Sequence, residues 1–283
     1  MSKSETWDLI IRPHTRWFEL HLREVWRYRD LVILFVKRDF IAQYKQTILG
    51  PLWYLIQPVL TTIMFLIIFG RVARIPTDGV DPIVFYLSGI TLWTYFSTCL
   101  TAISNTFVLN ANIFGKVYFP RLVSPLSLVI SNLIRFGIQF LLLFSVMIWS
   151  ALQGDRFPFS WNWFWLPVVL LLISLLTLGL GILISSLTTK YRDLNVLITF
   201  GIQLAMYATP IAYPLSFIQQ SGYAWIINLN PLTPLVELYR YVLFGTGTFT
   251  LTSISYSLAA VAIVLLAGLI SFNRVEKTFM DTV

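Results

Sequence analysis

The sequence predicts an all-α membrane protein with six transmembrane helices, and three observations carry that expectation. Of the 283 residues, 57% are hydrophobic and only 12% charged, about half the roughly 25% charge of an ordinary soluble domain. Six apolar stretches, residues 48–70, 82–105, 122–152, 164–187, 194–213 and 253–272, hold a single charge between them, Arg135. Each reaches the ~20 residues that cross a ~30 Å hydrocarbon layer at ~1.5 Å per residue. A soluble globule, a secreted disulfide scaffold and a disordered chain are excluded.

Charge placement orients the spans, because Lys and Arg are enriched on the cytoplasmic side. With the N-terminus inside, the inner segments hold 15 of the 20 Lys and Arg, and the outer ones hold Arg71, Arg74, Arg156 and Arg240. Both termini are therefore expected in the cytoplasm. The net charge of +7 reads as an orientation signal, with no nucleic-acid partner expected. Residues 1–30 are polar and charged without an apolar core, so no cleavable signal peptide is expected. The lone Cys99 lies in a span and excludes an intramolecular disulfide.

Residues 1–47 do not span. Phe18, Leu22, Val25 and Trp26 share one helical face, with Arg23, Glu24, Arg27 and Arg29 around the other sides. The apolar run 31–36 is too short to cross and is closed by Lys37, Arg38 and Asp39. The pattern fits an amphipathic helix at the membrane interface; a surface anchor and a contact for a partner are the two readings. The first span (48–70) contains Pro58, which frees a backbone carbonyl that the bundle must re-satisfy. The second span (82–105) is unusually polar, with Tyr86, Ser88, Thr91, Thr94, Tyr95, Ser97, Thr98 and Thr101. Helix packing and pore lining compete as explanations.

Residues 105–121 form a cytoplasmic segment that mixes Phe114, Tyr118 and Phe119 with Lys116 and Arg121. Aromatics beside cations suit a docking surface, with reinsertion at the interface as the alternative. On the third span (122–152), Ser127, Ser131, Arg135 and Gln139 recur every four residues as one polar stripe. A mid-span Arg costs at least ~2.5 kcal/mol unless it meets water or a partner. Arg135 is expected either to face a wet cavity or to be satisfied by backbone carbonyls or Gln139. Three tryptophans at 161, 163 and 165 read as an interfacial belt, with a carbohydrate platform as the rival.

Residues 213–252 are too broken to span. Thr233 fits an N-cap, Pro234 the first helical position and Gly245 the stop, with Glu237 and Arg240 three apart and able to pair. So short a helix is expected to be re-entrant or to lie on the outer surface. There is no G-x-x-x-x-G-K-[ST] phosphate loop, no G-x-S-x-G or H-E-x-x-H motif, and only His14 and His21 as histidines. No carboxylate falls within the spans, which argues against a proton- or sodium-coupled carrier. Uphill transport would then draw its energy from a partner.

Four motifs resemble those of permease subunits of bacterial polysaccharide ABC exporters, which export O-antigen, wall teichoic acid or capsule. They are Arg38-Asp-Phe-Ile-Ala-Gln-Tyr-Lys-Gln-Thr-Ile-Leu-Gly-Pro-Leu-Trp-Tyr-Leu-Ile-Gln-Pro58, Gly115-Lys-Val-Tyr-Phe-Pro-Arg121, Lys190-Tyr-Arg-Asp193 and Asn230-Pro-Leu-Thr-Pro-Leu-Val-Glu-Leu-Tyr-Arg240. The motifs stand in family order, and the resemblance runs from about Trp26 to Arg274. It implies a transmembrane subunit, not an enzyme, in the bacterial inner membrane. Its expected partners are a second copy, two copies of a separate ATPase that binds the ATP and Mg, membrane lipids, and a glycan on an undecaprenyl-type carrier.

The resemblance also assigns regions. Residues 1–47 become an interface region bordering the ATPase, 48–272 the six-helix transmembrane domain and 273–283 a cytoplasmic tail. The segment 105–121 becomes the coupling element, with Phe114, Lys116, Tyr118 and Arg121 as ATPase contacts. Short outer gate helices fall at about 214–222 and 234–244, with Asn230, Pro231, Pro234, Glu237 and Arg240 as gate residues. Charge complementarity nominates Arg27, Arg29, Lys37, Arg38 and Lys45 for the lipid pyrophosphate. Tyr86, Trp93, Tyr95, Arg135, Tyr207 and Tyr213 are the channel-lining candidates. The rivals are an ABC permease for a small hydrophobic drug or lipid, with a drier channel, and a glycosyltransferase or flippase acting alone. The latter would need catalytic carboxylates, and Asp30, Asp39 and Asp193 form no recognisable set.

Overall fold

The computed structural model describes residues 22–45, 47–114, 116–117, 119–154, 160–189, 191, 193–219, 222 and 224–282. Two short helices come first, α1 (Leu22–Arg27) and α2 (Arg29–Tyr44). The first long apolar helix starts as a 3-10 turn (Gly50–Leu52), continues as α3 (Trp53–Phe65) and ends π-helical (Leu66–Val72). Asp81 caps α4 (Pro82–Ser104): its Oδ1 accepts from the backbone N–H of Ile83 at 2.9 Å and of Val84 at 3.1 Å, and Pro82 takes the first turn.

Next come α5 (Thr106–Phe114), α6 (Val123–Leu152), a 3-10 turn (Trp161–Trp165) and α7 (Leu166–Thr188). The chain continues with α8 (Leu194–Tyr207), α9 (Leu215–Gln219), α10 (Ala224–Leu229), α11 (Leu232–Phe244) and α12 (Leu251–Thr282).

Among the described residues, five helical stretches are long and apolar enough to cross a membrane: Gly50–Val72, Pro82–Ser104, Val123–Leu152, Trp161–Thr188 and Leu251–Val275. The expected span 194–213 departs from this pattern, since α8 has only 14 residues, about 21 Å of helix. Pro210 explains the early stop. Proline has no N–H to continue the ladder and pushes Thr209 out of the α region. The chain turns instead, and Thr209, Pro210, Ile211 and Ala212 enter the core.

Helix α4 sits at the centre and packs against α3, α6, α7 and α8. The closest approach is between α7 and α12. A Cβ on Gly268 would stand 2.5 Å from the Gly179 carbonyl oxygen, and one on Gly179 would stand 2.8 Å from the Leu265 backbone. Small residues let two helices approach to backbone contact, which is how helices associate where lipid removes the hydrophobic drive.

Among the described residues the buried apolar side chains form two large cores and a small cluster of Phe85, Tyr86 and Ile90. One gathers α4, α6, α7 and α11 through Tyr95, Phe136, Ile173, Leu235, Tyr239 and Leu243. The other, at the opposite end, seats α1 and α2 through Val25, Val32 and Phe35 against Phe107, Phe114, Phe119, Val123 and Phe272. The face drawn for the N-terminal helix is thereby split: Val25 is buried while Trp26 is exposed, and Phe18 lies outside the described residues.

Candidate functional site

Four groups of side chains are expected to do the work, and the fold treats them differently. At the end carrying α2, Phe114 is only 4% exposed and packs edge-on to Phe107, with Phe119 also buried beside it. Phe114 is therefore the footing of the segment and not part of its outer face. A benzyl ring on this turn gains more from joining the aromatic core than from water. Lys116 is exposed, and Arg121 is half-buried with its guanidinium 5.7 Å from the Phe114 ring centre. Tyr118 lies outside the described residues.

Of the cations proposed for the interface, Arg27, Arg29, Lys37 and Lys45 are exposed. Arg29 stands 3.9 Å from its neighbour Asp30, and Arg38 stacks 4.4 Å over Phe35 while pairing with Asp39 at 2.8 Å. Positions 29, 37, 38 and 45 turn around the helix instead of sharing one face, so they form no single cradle. Ile33, Leu34 and Ile41 are exposed between them, an apolar surface suited to the membrane interface.

The aromatic channel candidates are mostly core. Tyr86 is fully buried and meets the Phe65 and Phe85 rings edge-on. Trp93 packs on Phe96, and Tyr95 is buried with its hydroxyl hydrogen-bonded to that of Ser174 on α7. These three do not line an open face of the chain. The cause is α4's central position, which four neighbouring helices cover. Tyr207, at 63% exposure, is open. The half-buried Tyr213 donates its hydroxyl to the Tyr207 carbonyl at 2.7 Å.

Arg135 is half-buried. Its Nη1 donates to Asn132 Oδ1 at 3.2 Å, its guanidinium lies 5.2 Å from the Tyr54 ring centre, and its Nε meets no partner among the described residues. One turn on, Gln139 Nε2 donates to the Tyr54 carbonyl at 3.1 Å. That carbonyl is the one Pro58 leaves without an intrahelical donor. The polar stripe on α6 thus repairs the proline break in α3. The spacing of Tyr54 and Pro58 was readable beforehand, but the identity of the donor was not.

The α11 end is held by a buried ion pair. Glu237 is 1% and Arg240 3% exposed, with 3.3 Å between Oε1 and Nη1. Arg240 also donates to the carbonyls of Ile211 at 2.9 Å and Tyr213 at 3.3 Å, and lies 4.0 Å from the Phe85 ring centre. Glu237 Oε2 accepts from the Thr248 N–H at 2.9 Å. Burial lowers the Arg240 pKa from its ordinary value, while the Glu237 charge and hydrogen bond hold it up. Gly89 makes the approach possible, because a Cβ there would stand 2.9 Å from the Ile211 carbonyl oxygen.

Helix α11 starts earlier than the sequence suggested. Asn230 Oδ1 accepts from the Leu232 N–H at 3.0 Å, and the Thr233 hydroxyl is spent on the Ile227 carbonyl at 2.8 Å. Asn230, not Thr233, is the capping side chain, and Pro234 falls inside the first turn. Asn230 Nδ2 ties the cap to Thr209 Oγ1 at 2.9 Å, and the Pro231 carbonyl accepts from Ser257 at 2.8 Å. Gly245, at φ 70°, ends the helix as expected. A contact absent from sequence reasoning is Ser216 Oγ to Asp78 at 2.8 Å, which joins α9 to the loop before α4.

Comparison with known proteins identifies the family. Residues 30–244 match the family model described as "ABC-2 type transporter". The O-antigen export system permease protein RfbA of Klebsiella pneumoniae is 31% identical over 253 residues, covering 89% of this chain and 94% of that protein. The protein of the same name from Myxococcus xanthus is 30% identical over 265 residues, covering 93% and 98%. With five apolar helices of spanning length among the described residues and a family match across most of its length, the chain is a multi-pass membrane protein that belongs to the ABC-2 type transporter family, as an exporter permease.

Proposed function

We propose that this chain is the transmembrane subunit of an ATP-driven exporter that carries lipid-linked polysaccharide, O-antigen in the first instance, from the cytoplasmic to the outer face of the bacterial inner membrane. The observation that supports it most is end-to-end similarity to permeases named for O-antigen export, at 94% and 98% of their lengths. Wall teichoic acid and capsule exporters share the reading and differ in the glycan.

In this reading α8 and the turn through Tyr213 make the sixth crossing, which returns both termini to the cytoplasm. Two copies of the chain flank the path, and each meets one ATPase subunit. That partner binds ATP and Mg; this chain contributes the surface that receives its motion. Lys116 and Arg121 present charge there, and Phe114 and Phe119 join the segment to the core that holds α1 and α2. A push on residue 116 therefore reaches the interface helices through packed rings. The cations of α1 and α2 draw the anionic pyrophosphate to the inner interface by charge. On the opposite side α9, α10 and α11 act as the outer gate, with α11 fixed by the Glu237–Arg240 pair.

A chromosomal deletion of this chain tests the reading. The expected result is loss of surface polysaccharide with accumulation of its lipid-linked form on the cytoplasmic side, reversed by the chain in trans. Unchanged surface polysaccharide would overturn it.

A further inference from the structure

The second span carries nine hydroxyl side chains, and the fold sorts them. Tyr86, Ser88, Thr91, Tyr95 and Ser104 are buried, Thr94 and Ser97 are half-buried, and Thr98 and Thr101 are open. Positions 94, 98, 101 and 105 share one helical face. That face runs from the middle of α4 to its end at Asn105, about 16 Å of helix.

The hydroxyl donors of Thr98 and Thr101 and one N–H of Asn105 are already committed. Thr98 Oγ1 donates to the Thr94 carbonyl at 2.6 Å, Thr101 Oγ1 to the Ser97 carbonyl at 2.8 Å, and Asn105 Nδ2 to the Thr101 carbonyl at 3.0 Å. What Thr98 and Thr101 still offer is acceptor capacity, the hydroxyl lone pairs, while Asn105 keeps its amide oxygen and a second N–H. Beside them Asn132 Oδ1 faces both Thr98 Oγ1, at 3.3 Å, and the Arg135 guanidinium, whose Nε is unpartnered among the described residues. Hydrocarbon supplies neither donors nor a counter-charge to such a surface. Its complement is a mobile molecule rich in O–H donors.

We propose that the open face of α4 from Thr94 to Asn105, with Arg135 alongside, is a wet wall along which the hydroxyls of the passing glycan donate to Thr98 and Thr101. The inference rests on the polysaccharide reading above and adds the contact surface. It moves that surface from the buried aromatics Tyr86, Trp93 and Tyr95 to a ladder of hydroxyls. Acceptor-only contacts from short side chains are weak and repeat along the helix, so a polymer can slide from one to the next.

Cys99, the only cysteine, is buried, and Cys99→Ala gives a background for single cysteines. In membranes holding the assembled exporter, a membrane-impermeant methanethiosulfonate should modify Thr98→Cys and Thr101→Cys at least tenfold faster than Leu171→Cys on the exposed apolar face of α7. Equal, slow reaction at all three overturns the wall, whatever the cargo. The isosteric double variant Thr98→Val/Thr101→Val should export several-fold more slowly with the amount of assembled exporter unchanged. Undiminished export overturns the glycan contact. Fast labelling in an exporter that moves no polysaccharide overturns the cargo, and the glycan contact with it, while leaving the wet surface intact.

Discussion

Glu237→Ala should be the most damaging single substitution in the chain, costing about 3–5 kcal/mol, because it leaves the Arg240 charge buried without a counter-ion. Glu237 and Arg240 are both almost fully enclosed, so water cannot take over the lost contact. The backbone N–H of Thr248 loses its acceptor in the same change. Glu237→Ala/Arg240→Met removes both charges and should recover most of that loss. Recovery stops short of complete, because the carbonyls of Ile211 and Tyr213 lose the donors that Arg240 supplies, at about 1–3 kcal/mol for each one left unpaired. The yield of monodisperse protein in detergent and its thermal midpoint read both effects. A double variant no better than Glu237→Ala would show that the pair is a net source of stability and not a mutual neutralisation.

A second large effect is expected between α3 and α6. Gln139→Leu should cost about 1–3 kcal/mol, since the Tyr54 carbonyl would lose the side-chain donor that replaces the N–H missing at Pro58. The diagnostic variant is Gln139→Leu/Pro58→Ala, because an alanine at 58 offers Tyr54 a backbone donor within its own helix. The double variant should be more stable than Gln139→Leu, with a coupling energy above about 1 kcal/mol across the cycle. Strictly additive effects would mean that the 3.1 Å contact is incidental. Export rates should follow the same order, since α3 reaches its place on the bundle partly through this bond.

Much of the fold could be read from where charges are missing. The long apolar stretches, the proline that needed a donor, the Gly245 stop and the Glu237–Arg240 spacing all appear in the structure. Each rests on a local rule: length against hydrocarbon thickness, a lost N–H, a left-handed terminus, an i, i+3 pair. The misplaced channel residues share one cause. A span is apolar on every side, so periodicity does not say which face meets protein, lipid or water. Tyr86, Trp93 and Tyr95 look like channel residues until α4 is found enclosed by its neighbours. Thr98 and Thr101 carry no stronger signal in the sequence than Ser88 and Thr91, yet the first two are open and the last two buried.

The helix break after Tyr207 and the burial of Phe114 escape sequence reading for a different reason. Apolar content alone measured 194–213 as a span, while the Thr209-Pro210 step ends the helix at Tyr207. Phe114 was grouped with the cations beside it in sequence, but the space left by Phe107 and Phe119 takes its ring into the core. Arg135 lies between success and failure. Its neighbour Gln139 was foreseen as a partner for Arg135 and instead serves the Tyr54 carbonyl, leaving Arg135 to Asn132 and the Tyr54 ring.

Inverted membrane vesicles, with the cytoplasmic face outward, place the proposed activity under direct observation. Lipid-linked polysaccharide on the outer surface of such vesicles is open to an impermeant glycosidase until it is moved inside. With this permease and its ATPase partner present, ATP should render the glycan resistant to the enzyme. Omitting the permease, or replacing ATP with a non-hydrolysable analogue, should abolish the protection. A complex that hydrolyses ATP yet leaves the glycan fully digestible, or equal protection without this chain, would contradict the proposed export.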